Sequence, residues 1–168
     1  MNKNIVLLIG MPGCGKTTIG KEVARNLGYS FCDMDNYIEE ISKSSIKELF
    51  KKGEDYFRDY ETKACNNLSN INENIIISSG GGVVKRKENI YFFVEKGIII
   101  FIDRPIENII SDVNIETRPL LKEGREKLYN LYLERYNLYK DYCHYRITND
   151  KSVETVVKSI IKIIESNK

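Results

Sequence analysis

Residues 10–17 read GMPGCGKT, a complete G-x-x-x-x-G-K-[ST] phosphate-binding loop. Such a loop works only between a strand and a helix, and both are legible beside it. IVLLI (residues 5–9) is a short β-branched apolar run, and TTIGKEVARNL (residues 17–27) follows with helical spacing. Gly10, Gly13 and Gly15 let the backbone curl so that successive N–H groups face an anion. The helix behind them adds the partial positive charge of its N-terminus. Pro12 has no N–H, so the donors must begin at Gly13. The motif therefore assigns phosphate binding to Gly13, Cys14, Gly15, Lys16, Thr17 and Thr18. Lys16 is placed to reach β- and γ-phosphate oxygens, and the Thr17 hydroxyl to ligate Mg²⁺. By composition the pattern arises by chance in about one chain of this length in a hundred. Its strand–loop–helix setting makes it more specific still. The loop implies a nucleoside-triphosphate binder.

Outward from the loop, apolar runs alternate with helical patterns. Strands are expected at 5–9, 29–32, 75–78, 98–102 and 145–147. Helices are expected at 17–27, 36–42, 46–52, 54–68, 87–95, 105–113, 125–141 and 152–165, with Pro105 suited to a first turn. The runs NIIIS and GIIIF are apolar without interruption, the pattern of strands covered on both faces. The chain thus reads as one α/β domain over residues 1–168, a parallel sheet between helices. Residues 114–124 (NIETRPLLKEG) lack clear periodicity between two helices, which suggests a lid.

Composition excludes other classes. The net charge of +2 over 168 residues gives no general affinity for nucleic acid or anionic membrane. No run of about 18 apolar residues is present to span a bilayer. The apolar part of the N-terminus is too short for a signal peptide, so a cytoplasmic protein is expected. Cys14, Cys32, Cys65 and Cys143 show no C-x-x-C pairing and read as reduced thiols. Within the anion loop, Cys14 is either a reactive thiol whose modification would block nucleotide or a small filler.

In an open parallel sheet, ligands lie beyond the carboxyl ends of the strands. There the chain carries Asp33-Met34-Asp35 and Gly80-Gly81-Gly82. One aspartate could orient Mg²⁺ through water while the other accepts a proton from a hydroxyl; alternatively, one simply caps the following helix. Three glycines after a buried strand would let a ligand lie against bare backbone. Arg58, three residues before Glu61, is either a surface ion pair or a guanidinium fork held for a carboxylate or phosphate. Arg118 suits an arginine that swings over the transferring phosphoryl group. Arg135 sits among Tyr129, Tyr132, Tyr136, Tyr139 and Tyr142, whose spacing reads mainly as amphipathic packing. His144, the one histidine, reads as structural.

Taken in order, GMPGCGKT, FCDMDNYIE, GEDYFRDYE, SSGGGVV, TRPLL and ERYNLY resemble the shikimate kinases, a P-loop family akin to nucleoside monophosphate kinases, over nearly the whole chain. The resemblance implies a five-stranded sheet of order 2-3-1-4-5 with a lid. It implies ATP-dependent phosphorylation of the 3-hydroxyl of shikimate, a step of aromatic amino-acid biosynthesis. Asp35 would contact the substrate hydroxyls and act as base, Arg58 and Arg135 would hold the carboxylate, and Gly80, Gly81 and Gly82 would line the ring. Lys16 and Arg118 would stabilise the transferring phosphoryl group, with Arg118 also touching ATP. Thr17, and Asp33 through water, would hold Mg²⁺. The protein would act as a monomer. Ile110, Ser111 and Asp112 stand where the family often carries an adenine-stacking arginine, and the last loop reads TNDKSVE, which implies a looser hold on the base. A gluconate kinase, a nucleotide kinase and a non-catalytic nucleotide-binding module are the alternatives. The module fits poorly with Lys16, Thr17, Asp35 and Arg118 all present.

Overall fold

The computed structural model describes residues 4–112 and 121–168. Its centre is a five-stranded sheet, all parallel, made of β1 (Ile5–Ile9), β2 (Ser30–Asp33), β3 (Ile75–Ser78), β4 (Gly97–Asp103) and β5 (Tyr145–Thr148). The spatial order is β2-β3-β1-β4-β5, as the family resemblance implies. Every residue of β1, β3 and β4 is buried, whereas the edge strands β2 and β5 are only partly covered. That division follows from sequence: the three uninterrupted apolar runs take the centre, and the strands carrying Ser30, Tyr145 and Arg146 take the edges.

The helices are α1 (Lys16–Leu27), α2 (Met34–Ser42), α3 (Ile46–Lys51), α4 (Glu54–Leu68), α5 (Lys87–Val94), α6 (Ile106–Ser111), α7 (Leu121–Tyr142) and α8 (Val153–Ser166). α1 and α8 pack together, with α8 also against β5, while α5 and α7 pack on β4 and α4 on α5. α8 illustrates the driving force: Val156, Val157, Ile160 and Ile164 form its buried stripe, and the Ser152 hydroxyl caps its first turn. Burying a side chain of this kind contributes about 1.5–3 kcal/mol against the entropy of ordering it.

Most boundaries differ from expectation by a residue or more, and three of the differences are instructive. β2 runs one residue further, because Asp33 pairs in register with Ser78 before its side chain caps α2. Pro105 is the N-cap of α6 rather than its first helical residue. α7 begins at Leu121, so the last four residues of the segment 114–124 are helical and Gly124 lies inside the helix. Arg118 and most of the expected lid lie outside the described residues. A short 3-10 turn (Val83–Lys85), not expected, follows the three glycines.

Candidate active site

Strand order brings the ends of β1, β2 and β3 to one rim. Gly10, Gly13 and Gly15 all have positive φ, so the loop turns back on itself as its motif requires. Lys16 is buried, and its ammonium donates to the carbonyls of Gly10 (2.8 Å) and Met11 (2.9 Å), tying the loop's two ends together. Lys16 also lines the cleft beside the loop. The N–H groups of Lys16, Thr17 and Thr18 open α1 and have no partner within the helix. Cys14 is different. Its N–H donates to Met11 O (3.2 Å) and its side chain is fully buried, so the filler reading accounts for it. Two residues without a motif brace the loop from the far side: Arg104 donates to Gly13 O (3.1 Å) and Asn149 to Cys14 O (2.9 Å).

Thr17 Oγ1 lies 3.0 Å from Asp33 Oδ2 and 3.1 Å from Ser78 Oγ. Two hydroxyls and a carboxylate make a hard-oxygen corner beside the phosphate loop. Mg²⁺ suits such a corner, since it takes few protein ligands and completes its shell with water and phosphate oxygens. Ser78 is the member the sequence did not reveal. Asp33 also satisfies the alternative reading: its other oxygen accepts from the N–H groups of Asp35 and Asn36 at 3.1 and 3.4 Å and caps α2. One oxygen thus caps α2 and the other faces the Thr17 hydroxyl.

Asp35 stands in the first turn of α2 and lines a cleft of about 540 Å³ with Pro12, Lys16, Thr17, Asp33, Gly80 and Gly81. Burial, then the Asp33 charge, pushes its carboxyl above the usual range, against the pull of Lys16 and Arg58. Its residue is nonetheless open to solvent on one side.

The two arginines resolve the choice that the sequence left open. Arg58 and Arg135 are 6% and 7% exposed, and Glu61 is fully buried. Arg58 Nη1 donates to Glu61 Oε2 at 2.7 Å, so this is an interior pair and not a surface one. Burial pushes the Glu61 carboxyl up while Arg58 pulls it down. Its second oxygen and the Arg135 Nε are buried with no hydrogen-bond partner among the described residues. Arg58 and Arg135 thus stand buried beside one buried glutamate, with the half-exposed Glu54 and Glu134 at their outer edge.

Gly80, Gly81 and Gly82 hold these parts together. A Cβ on Gly80 would stand 3.0 Å from Asp35 Oδ1, one on Gly81 2.7 Å from Pro12 Cδ, and one on Gly82 would collide with the Arg58 guanidinium. From above, the Tyr139 hydroxyl donates to Gly81 O while its ring stacks on Phe101. Of the tyrosine stripe of α7, Tyr132, Tyr136, Tyr139 and Tyr142 pack on the core as their spacing suggests, Tyr129 is exposed, and Tyr139 also anchors the glycine turn. His144 is structural: it pairs with Ile99 through its own N–H (2.9 Å) and through Nδ1, which accepts from Ile99 N–H at 3.1 Å.

This arrangement has known counterparts. The family model described as shikimate kinase matches residues 12–165. The chain belongs to the shikimate kinase family. It is similar to a shikimate kinase of Clostridium beijerinckii, 54% identical over 98% of this chain and 97% of that protein. A structure of shikimate kinase from Acinetobacter baumannii in complex with shikimate superposes with a TM-score of 0.86 at 32% identity, covering 98% of this chain and 94% of the other. A gluconokinase from Sinorhizobium meliloti superposes with a TM-score of 0.62 at 12% identity over 98% and 93% of the two chains, a likeness of fold alone. Within the family frame, Asp33, Asp35, Arg58, Gly80, Gly81, Gly82 and Arg135 gather beside Lys16 and Thr17. Arg118 is the one expected site residue outside the described part.

Proposed function

We propose that this protein transfers the γ-phosphoryl group of ATP to the 3-hydroxyl of shikimate, yielding shikimate 3-phosphate and ADP for aromatic amino-acid biosynthesis. The observation that carries this reading is the juxtaposition of two buried arginines and Asp35 around Gly80–Gly82, directly beside the phosphate loop. Shikimate offers one carboxylate and neighbouring hydroxyls. The paired guanidinium groups fit the carboxylate, and Asp35 fits a hydroxyl facing the phosphate.

In the step itself, the 3-oxygen forms a bond to phosphorus, the bond from phosphorus to the β-phosphate bridging oxygen breaks, and the hydroxyl proton passes to Asp35. A carboxyl held above the usual range keeps a proton more readily and suits that role. The protein's share is otherwise positioning and charge neutralisation, by the first-turn N–H groups of α1, Lys16 and Arg118. Thr17, with Asp33 and Ser78 behind it, would hold Mg²⁺, which supplies charge neutralisation at the phosphates.

The reading takes the enzyme to act as a monomer. Among the described residues no helix is long and apolar enough to cross a membrane, and all four cysteines are free. Free thiols support a cytoplasmic setting. The test is ADP release with shikimate, gluconate and nucleoside monophosphates offered in parallel. Turnover with shikimate alone is expected; turnover with gluconate or a nucleotide in its place would overturn the assignment.

A further inference from the structure

Arg58 has no idle nitrogen. Nη1 donates to Glu61, while Nε and Nη2 both donate to Glu54 Oε1 at 3.3 and 3.2 Å. Glu61 is fixed in the interior, whereas the Glu54 side chain is 49% exposed. An incoming carboxylate must therefore share Arg58 with Glu54. Opposite stands Lys85, which leaves the 3-10 turn just after the three glycines. Its Nζ is 2.6 Å from the same Glu54 Oε1, nearer than either arginine nitrogen. The ammonium also lies 3.5 Å from Glu134 Oε1, and that oxygen is 3.6 Å from Arg135 Nε. One lysine thus touches both glutamates that flank the two arginines, and it ties α4 to α7 across the site.

We propose that Lys85 is a positioning residue for the acceptor: it shares Glu54 Oε1 with Arg58 and Glu134 Oε1 with Arg135, and so loosens each glutamate's hold on the arginine that the substrate carboxylate must engage. The lowered pKa of Glu54, caused first by its hydrogen bond to Lys85, agrees with the lysine as its main partner. Without Lys85, Glu54 would pair with Arg58 alone and compete more strongly with substrate. The inference rests on shikimate being the acceptor.

The test compares wild type, Lys85→Met, Lys85→Arg and the double variant Lys85→Met/Glu54→Gln, by steady-state kinetics and by calorimetric titration with shikimate. Lys85→Met is expected to raise KM and Kd for shikimate about fivefold, the factor that a half-exposed ion pair commonly carries. KM for ATP and kcat should stay within about twofold of wild type. Lys85→Arg should keep the wild-type constants, and Glu54→Gln in the Lys85→Met background should restore them by removing the competitor. An unchanged shikimate KM in Lys85→Met would overturn the proposal. So would equal rises for shikimate and ATP, or a double variant worse than the single one, since a merely structural lysine gives those results. Wild-type enzyme that fails to turn over shikimate would instead overturn the functional assignment, so the two failures are distinguishable.

Discussion

Gly80, Gly81 and Gly82 do not adopt positive φ, so their backbone angles do not demand glycine. Space does. Gly82→Ala should drive the Arg58 guanidinium off its seat and raise KM for shikimate at least about tenfold, since it displaces a charged contact made in ground and transition state alike. Calorimetry should show ATP binding unchanged; equal loss of both ligands would mean general collapse of the loop. Asp35 makes a double prediction. Asp35→Asn should lower kcat by about 10²–10⁴, the range of a lost general base, with ATP affinity retained. The variant should also be more stable than wild type near neutral pH. Burial raises the Asp35 pKa in the folded state, so ionisation penalises folding above that pKa and costs nothing below the unfolded value. Thermal melts of wild type and variant should therefore differ at pH 7 and converge as pH falls towards about 4. A variant that melts lower than wild type at pH 7 would contradict the assigned environment.

At the scale of elements, the central strands were readable because three runs of isoleucine, valine and leucine admit no other place than a doubly covered sheet. The ends of elements were less readable where one residue serves two elements. Asp33 closes β2 and caps α2, and Gly124, the last residue of the aperiodic segment 114–124, lies within α7 despite a helix cost of about 1 kcal/mol. Likewise, spacing three residues apart could not separate a surface Arg58–Glu61 pair from a buried one, because burial is a property of the assembled sheet. Ser78, Glu54, Lys85 and Arg104 were invisible for the same reason: each acts on a partner distant in sequence or in a role that carries no motif. The nucleotide's base is the counterpart case. α6 ends in Ser111 and Asp112, with Asp112 pairing to Arg104, and the connection from β5 to α8 presents exposed Asp150 and Lys151. With no stacking group among these residues, ATP and GTP should bind within about tenfold of each other by calorimetry. A hundredfold preference for ATP would reveal a base contact made elsewhere.

For the molecule as a whole, the parallel order β2-β3-β1-β4-β5 does the assembling. It sets the phosphate loop after β1 beside the glycines after β3 and the aspartates after β2, while α4 and α7 bring one arginine each. In the proposed function donor and acceptor meet over this single rim, and the acceptor is recognised by its negative charge. The most direct measurement of that claim is kcat/KM for shikimate against its methyl ester, which keeps every hydroxyl and removes only the carboxylate charge. Loss of both guanidinium contacts should lower kcat/KM by about 10²-fold or more for the ester. Equal turnover of the two would contradict the role of Arg58 and Arg135, and with it the account of this site as one built for a hydroxylated carboxylate.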